Sequence, residues 1–147
     1  MLCAYNLYVM EALMTPEDVV REFCAAVSKR DPAVLRPLLS EDVIYQNVGM
    51  QASRGIDATM ESMAGQWAMF AETYEFEILN LAVSGSIVLT ERIDRVGPGG
   101  GVPAAPVPLM GRFEVQSGQI TAWYDYFDTA LVGKMMAGEP VGDLIPS

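Results

Sequence analysis

The sequence predicts an α+β fold in which N-terminal helices cover one face of a curved sheet. Residues 15–70 carry most of the helix signals, namely N-cap residues followed by apolar residues at helical spacing. From Thr73 onward, alternating apolar and polar residues between turn signals predict a long antiparallel meander. Such a sheet and its helices should form a cone whose mouth is lined by alternate strand residues, which is a natural pocket.

Three helices are predicted before the meander. Thr15 is a typical N-cap, and Pro16 at the first helical position begins the first helix. The pair Asp31-Pro32 repeats this signal for a short second helix that should extend to Leu39, with an irregularity caused by Pro37. A third helix opens at Gly55, and its apolar stripe consists of Met60, Met63, Ala64, Trp67 and Phe70.

Several short strands follow from alternation and β-branched content. The run of glycines at 97–101 should end one strand, and the proline-containing segment 102–108 is expected to be a mobile or edge connection. A short helix over 129–137 should close the fold. The predicted strands are residues 43–48, 74–78, 87–94, 109–115 and 119–127.

One domain is expected, because 147 residues suffice for a single well-buried core. We place it at residues 15–138, with an N-terminal extension at 1–14 and a C-terminal tail at 139–147. The extension lacks the basic start and cleavage site of a signal peptide. No run approaches the ~18 to 20 apolar residues that span a membrane. A cytoplasmic protein without stable membrane insertion is therefore expected.

Composition excludes several classes of function. The net charge of −10 argues against nucleic acid as a partner. The absence of histidine removes Ser-His-Asp and Cys-His catalysis and histidine zinc sites. Cys3 and Cys24 have no metal-binding spacing, and the glycine run lacks the Lys-Ser or Lys-Thr of a phosphate loop. We expect no metal and no cofactor, so that acid–base chemistry must use carboxylates, Tyr, Lys or Cys.

Two aspartates lie on strand faces that should otherwise be apolar. Alternation puts Asp94 on one face with Arg92, and Asp125 on one face with Trp123 and Phe127. A carboxylate between such aromatic residues either has partners or has a raised pKa. Arg92 is the obvious partner of Asp94. Two carboxylates and one arginine indicate acid–base chemistry, and the alternative is an ion pair that merely satisfies buried charge.

Three segments together resemble one known family: Tyr45-Gln46-Asn47, Thr90-Glu91-Arg92-Ile93-Asp94-Arg95 and Trp123-Tyr124-Asp125-Tyr126-Phe127-Asp128. In this combination and order the chain resembles the limonene-epoxide hydrolase family within the NTF2-like superfamily. The resemblance implies a cone-shaped NTF2-like (cystatin-like) fold, with a curved mixed or antiparallel sheet and a deep apolar pocket. It also implies the addition of water to an apolar epoxide, such as a terpene, fatty-acid or sterol-like epoxide, to give a vicinal diol. We further expect a homodimer.

The resemblance also implies a role for each site residue. Asp125 would be the general base that deprotonates a water held by Tyr45 and Asn47. Asp94 would be the general acid that protonates the epoxide oxygen, and Arg92 would lie between the two carboxylates. Trp123 resembles the family's pocket-wall aromatic residue. Further substrate contacts are expected from Phe127, Met60, Met63 and Trp67, although core packing is the alternative for the three helical residues.

Two other functions remain open. One is a ketosteroid-isomerase-like or cyclase-like enzyme of the same fold, which would have no use for a water-binding Tyr/Asn pair or a bridging arginine. The other is a non-catalytic lipophile-binding domain, which would tolerate apolar residues in place of Asp94 and Asp125. The cost of burying these charges counts against it.

Overall fold

The computed structural model describes residues 14–146. The N-terminal extension predicted at residues 1–14 therefore lies outside the described residues except for Met14, as does Cys3. The helices are α1 (Pro16–Ser28), α2 (Pro32–Leu35), α3 (Ile56–Met69) and α4 (Thr129–Met136), with 3-10 turns at Arg36–Leu38 and Gly142–Leu144. The strands are β1 (Leu39–Asn47), β2 (Ser53–Arg54), β3 (Thr73–Ser84), β4 (Ile87–Gly97), β5 (Ala105–Gln116) and β6 (Gln119–Tyr126).

Helix α1 begins where the sequence predicts it. The Thr15 hydroxyl accepts a hydrogen bond from the backbone N–H of Asp18, and the Asp18 carboxylate accepts one from the N–H of Thr15. This capping box satisfies two backbone donors that the first helical turn leaves free. The helix buries its apolar stripe, which includes Val20 and Phe23, in the core.

The second helix is shorter than predicted, and β1 begins earlier. Helix α2 ends at Leu35 and a 3-10 turn containing Pro37 follows, so that Leu39 is the first residue of β1 and not part of a helix. Proline cannot donate the backbone hydrogen bond that would continue the α-helix. The strand predicted at 43–48 therefore begins four residues earlier than expected and ends at Asn47, and an irregularity between Leu39 and Ile44 separates its two halves.

The six strands form one mixed sheet in the order β2-β1-β6-β5-β4-β3. Strands β3 to β6 form the predicted antiparallel meander. Strand β1 runs parallel to β6, and their register puts Tyr45 opposite Trp123 and Asn47 opposite Asp125. Two segments that are distant in the sequence are thereby joined side by side in the sheet. The α+β class with helices on a mixed sheet is confirmed.

The segment predicted to be a mobile or edge connection belongs mostly to β5. That strand begins at Ala105, not at residue 109, and Pro106 and Pro108 pair with Arg95 and Ile93 of β4. Strand β6 ends at Tyr126, opposite Met110, so residues 105–109 extend beyond it. Proline is tolerated there because its missing N–H would face this open side. The prediction that this segment lies at an edge of the sheet is thus correct, but the predicted start of the strand at residue 109 is wrong.

The core lies between α1 and the sheet. The indole of Trp123 is at its centre, with ring centroids of Phe23 and Phe113 at 4.8 and 6.1 Å. Trp123 is 1% exposed and both phenylalanines are fully buried. No helix among residues 14–146 is long and apolar enough to span a membrane.

Candidate active site

Arg92 joins the two predicted carboxylates inside the protein. Its Nε and Nη2 donate to Oδ1 and Oδ2 of Asp94 at 3.0 and 2.9 Å, and Nη2 also donates to Oδ2 of Asp125 at 3.0 Å. Arg92 is fully buried, while Asp94 and Asp125 are 6% and 3% exposed. The planar guanidinium suits this arrangement, because its donors form a rigid fork that binds one carboxylate in two places.

The charge of Arg92 has further compensation from aromatic rings. Its Cζ lies 4.4 Å from the ring centroid of Phe76 and 5.8 Å from that of Phe113. A cation near an aromatic face is attracted by the negative potential of the ring. Together with the two carboxylates, these rings offset part of the cost of removing the guanidinium from water.

Asp94 is suited to hold a proton. Burial raises the pKa of its carboxyl from 3.8 to about 6, and the charge of Asp125 adds to this, while Arg92 acts in the opposite direction. A general acid works best when its pKa lies near the working pH, since it must both hold a proton and release it. Asp94 also lines the cavity described below, so its carboxyl group faces the space available to a small molecule.

Asp125 is oriented by two donors. Trp123 Nε1 donates to its Oδ1 at 2.9 Å, and Arg92 donates to its Oδ2. The Trp123 ring in turn stacks on the ring of Tyr45, with centroids 4.0 Å apart. A carboxylate with both oxygens held in this way has one preferred orientation toward the cavity.

Tyr45 and Asn47 lie beside Asp125. The Tyr45 hydroxyl donates to Oδ1 of Asn47 at 3.1 Å, and both residues line the same cavity as Asp94 and Asp125. Burial raises the pKa of Tyr45 well above its usual value, so its phenol stays neutral. Four of the five residues predicted to be catalytic therefore line one cavity, and the fifth, Arg92, is buried behind its wall, where it binds both carboxylates.

The cavity has a volume of about 440 Å³ and a mostly apolar wall. Pockets of this size and character hold small organic molecules, with a few polar groups that fix their orientation. The apolar part of the wall comes from the sheet, α3 and α4, and includes Phe70, Phe76, Val107, Leu109, Phe127 and Val132.

Only one of the five predicted substrate contacts lines this cavity. Phe127 does, whereas Met63 is buried in the core and Met60 and Trp67 pack against it. On α3 the neighbouring face lines the cavity, through Ser62, Gln66 and Met69, and Phe70 at the C-cap follows. The apolar stripe of α3 packs in or against the core, which is the alternative that the sequence left open for these three residues, whereas the cavity face also carries polar side chains. Trp123 lies behind the cavity wall, where it holds Asp125.

Gly111 is a site residue that the sequence analysis missed. It pairs with Thr90 of β4 and with Asp125 of β6. An added Cβ atom would lie 2.5 Å from Nη1 of Arg92, 2.7 Å from Oγ1 of Thr90 and 3.1 Å from Oδ1 of Asp125. A glycine inside a strand pattern often marks such a close approach, and this signal was present at residue 111.

Gln66 and Tyr74 were also missed. Gln66 Nε2 donates to the Tyr45 hydroxyl at 3.0 Å, and the Tyr74 hydroxyl donates to Gln66 Oε1 at 2.5 Å. Sequence periodicity gives no signal for this contact, because the three residues come from different elements. They are neighbours only in the folded protein.

Metal and thiol chemistry have little support in the described part of the chain. Among residues 14–146, no group of three or more His, Cys, Asp and Glu side chains is arranged to hold a metal ion. Cys24 is buried, and burial raises the pKa of its thiol to about 12. The thiol is therefore protonated near neutral pH.

Comparisons with known proteins show the family to which the chain belongs. The model of the limonene-1,2-epoxide hydrolase catalytic domain family matches residues 14–137. Epoxide hydrolase EphG of Mycobacterium tuberculosis is 32% identical over 133 residues, which cover 87% of this chain and 83% of that protein.

Solved structures show the same relationship. The structure of a limonene-epoxide-hydrolase-like epoxide hydrolase from M. tuberculosis has a TM-score of 0.72 and 30% identity, covering 88% of this chain and 94% of that one. An NTF2-like protein of unknown function from Cytophaga hutchinsonii has a TM-score of 0.68 and 18% identity, covering 82% and 96%, and it supports the fold alone. The resemblance carried by the three segments is thus confirmed: this chain is an epoxide hydrolase that belongs to the limonene-1,2-epoxide hydrolase family, within the NTF2-like fold.

Proposed function

We propose that this enzyme adds water to an apolar epoxide in one step, giving a vicinal diol, with Asp125 as general base and Asp94 as general acid. The observation that carries the proposal is the Arg92 guanidinium, which binds both buried carboxylates at the wall of an apolar cavity. Two carboxylates that share one cation and differ in surroundings can hold different numbers of protons. One can then donate a proton while the other accepts one.

The reaction needs a nucleophile at carbon and a proton at oxygen. Asp125 takes a proton from water, the water oxygen attacks one epoxide carbon, and the carbon–oxygen bond of the ring breaks. Asp94 gives its proton to the epoxide oxygen, which becomes the second hydroxyl of the diol. Exchange with solvent then returns a proton to Asp94 and removes one from Asp125. Each of the two proton transfers contributes ~10² to 10⁴ in rate.

The water would lie between Tyr45, Asn47 and Asp125. Support comes from the parallel register, which puts Asn47 beside Asp125 on neighbouring strands. Attack by this water makes a covalent intermediate unnecessary. The strain of the epoxide ring supplies part of the driving force, so that no metal or cofactor is needed.

The substrate would be mainly hydrocarbon. Terpene, fatty-acid and sterol-like epoxides are the candidate classes, and the largely apolar wall of the cavity favours all three over a charged epoxide. Asp94 and Asp125 would meet the oxygen-bearing end, because they are the charged side chains that line this wall.

The proposal is tested with a panel of apolar epoxides in ¹⁸O-labelled water. Formation of the diol with one labelled hydroxyl, in a single turnover of excess enzyme, is expected. Label in the side chain of Asp125, found by peptide mass spectrometry, would show direct attack by the carboxylate instead. A β,γ-unsaturated ketone is assayed in parallel, because its isomerisation without diol formation would favour the ketosteroid-isomerase-like function.

We also propose that the protein is a homodimer through the outer face of the sheet. Large apolar side chains are exposed on adjacent strands there: Met110 is 51% exposed and its partner Tyr126 is 49% exposed, with Leu89 at 44%. Such exposed apolar groups are typical of an interaction surface. Light scattering after size exclusion should give twice the mass of one chain, and Met110→Lys should reduce it. The mass of a single chain for the unchanged protein would contradict the proposal.

A further inference from the structure

A chain of hydrogen bonds leads from β3 through α3 to the proposed water site. The Tyr74 hydroxyl contacts Gln66 Oε1 at 2.5 Å, Gln66 Nε2 contacts the Tyr45 hydroxyl at 3.0 Å, and that hydroxyl contacts Asn47 Oδ1 at 3.1 Å. Tyr45 and Tyr74 are each 4% exposed. These hydrogen bonds therefore form a partly buried polar network beside the carboxylates.

The lengths of the two Gln66 contacts show which partner donates in each hydrogen bond. A hydroxyl donating to a carbonyl oxygen typically lies at 2.5–3.0 Å, whereas an N–H donor lies at 2.7–3.2 Å. The 2.5 Å contact fits Tyr74 as donor, and the 3.0 Å contact fits the Gln66 amide as donor to Tyr45. Because the Tyr45 hydroxyl accepts from Gln66, its own hydrogen is free, and it is donated to Asn47 Oδ1 at 3.1 Å.

This direction determines what Tyr45 offers to a water molecule. A phenol oxygen has one hydrogen and two acceptor positions. The hydrogen is used by Asn47 and one acceptor position by Gln66, which leaves Tyr45 as an acceptor. Asn47, whose Oδ1 accepts from Tyr45, offers its Nδ2 as a donor. A water here would donate to Tyr45 and Asp125 and accept from Asn47, with one lone pair free for the epoxide carbon.

We propose that Gln66 and Tyr74 are positioning residues that set the direction of the Tyr45 hydroxyl and thereby orient the attacking water. The inference rests on the proposed function of the site. Both residues line the cavity, and their hydrogen bonds lead to Tyr45: Gln66 donates to it directly, and Tyr74 acts through Gln66. If the direction of these hydrogen bonds were reversed, Tyr45 would donate to Gln66. Asn47 would then present its acceptor Oδ1 to the water in place of the donor Nδ2.

The end of α3 that carries Gln66 is held in place by a second contact. Arg30 donates through Nη1 to the backbone oxygen of Trp67 at 2.8 Å, and through Nη2 to that of Phe70 at 2.7 Å. A cation bound to the free carbonyls at a helix C-terminus stabilises that end. Gln66 therefore projects from an anchored turn, which suits a residue that positions another.

The test compares Gln66→Met, Gln66→Glu and Tyr74→Phe with the unchanged enzyme. Met keeps the length of Gln but cannot make either hydrogen bond. Glu accepts from both tyrosines when ionised, which reverses the Tyr45 hydroxyl, but when protonated it donates once and accepts once as Gln does. Gln116→Met is the matched control, because Gln116 is an exposed residue of β5 outside the cavity.

We expect Gln66→Met to lower kcat about tenfold or more, since misplacement of a reacting group has effects of this order. Gln66 also lines the cavity, so KM is measured together with kcat, and the loss in kcat is the effect that reports on orientation of the water. Tyr74→Phe should lower kcat less, because the Gln66 amide keeps its contact with Tyr45. The kcat of Gln66→Glu relative to the unchanged enzyme should rise as the pH falls, because the protonated carboxyl restores the original direction.

The possible results separate the two proposals. If the unchanged enzyme forms no diol from any epoxide, the proposed function fails. If it does, but Gln66→Met retains kcat within about twofold, the positioning role is wrong. Equal losses in Gln66→Met and Gln66→Glu at every pH, or a change in KM alone, would also overturn the inference. Thermal unfolding of each variant shows whether a loss of activity is a loss of fold.

Discussion

Gly111 has no side chain, and the guanidinium group of Arg92 occupies the space that a side chain there would need. A Cβ atom on Gly111 would lie 2.5 Å from Nη1 of Arg92, closer than any unstrained contact between these atoms. Nη1 is buried and has no hydrogen-bond partner among the described residues, as is also true of the neighbouring Thr90 hydroxyl. Strand β5, which lies between β4 and β6, thus has no side chain at residue 111, where Arg92 of β4 reaches across it to Asp125 of β6.

Gly111→Ala should therefore displace the guanidinium and reduce activity. Overpacking of this kind costs about 1–3 kcal/mol of stability, and misplacement of the site should reduce kcat/KM about a hundredfold. Denaturant unfolding and steady-state kinetics measure both. Gly133→Ala in α4 is the control, because an added Cβ atom there meets nothing within 4 Å. A Gly111→Ala enzyme as active as this control would show that the site tolerates the movement.

Asp94→Asn and Asp125→Asn should each abolish most turnover while the protein remains folded. The amide keeps the shape of the carboxyl group but cannot exchange the proton that either role needs. Retention of more than about a tenth of the original kcat/KM, a loss below ~1.4 kcal/mol, would make that role assignment wrong. Asp143→Asn, at an exposed position near the C-terminus, is the matched control and should leave kcat/KM unchanged.

The raised pKa of Asp94 predicts a pH dependence of stability. Its carboxyl has a pKa of about 6 in the folded protein against an ordinary value of 3.8, so the folded state holds more protons between these values. The stability that Asp94 contributes is complete below pH ~4 and is lost as the pH rises through ~6. The loss is roughly 1.4 kcal/mol for each pH unit between the unfolded and the folded pKa. The Asp94→Asn variant lacks this pH-dependent contribution, so its stability relative to the unchanged protein should increase from pH 4 to pH 7. Urea unfolding at several pH values measures the difference, and a decrease over this range would contradict the assignment.

Arg92→Leu should lower both activity and stability. Removing the cation leaves two buried carboxylates without compensation, which costs ~3 to 5 kcal/mol when a buried pair loses one member. The carboxylates would respond by binding protons, so the acid limb of kcat/KM should move to higher pH. Thermal unfolding and kinetics from pH 5 to 9 test this.

Arg95→Leu is the matched control for that variant. Arg95 lies on the same strand, its side chain is 41% exposed, and it pairs with Glu77 on the outer face. A surface pair of this kind contributes about 1 kcal/mol or less. If Arg92→Leu behaved like Arg95→Leu in both measurements, Arg92 could not be the compensating charge of the site.

Local pattern was sufficient to predict the pairs of active-site residues that lie within one strand. Arg92 and Asp94 are two residues apart in a strand, and alternation alone puts them on one face, where they form a bidentate pair. The same argument puts Tyr45 with Asn47 and Trp123 with Asp125, both of which are hydrogen-bonded pairs. These predictions succeed because the geometry of an extended strand depends only on the nearest residues in the chain.

The order and register of the strands decided the rest. Asp125 reaches Arg92 across 33 positions of sequence, and that contact requires β5 to lie between β4 and β6 with a glycine at residue 111. The rotation of α3 about its axis likewise turns Gln66 toward Tyr45 and Met63 into the core. In the sequence the face with Met63 is apolar, whereas the face with Gln66 is mixed, with Ser62 and Met69. What they meet is set by packing between distant segments, which a local pattern does not contain.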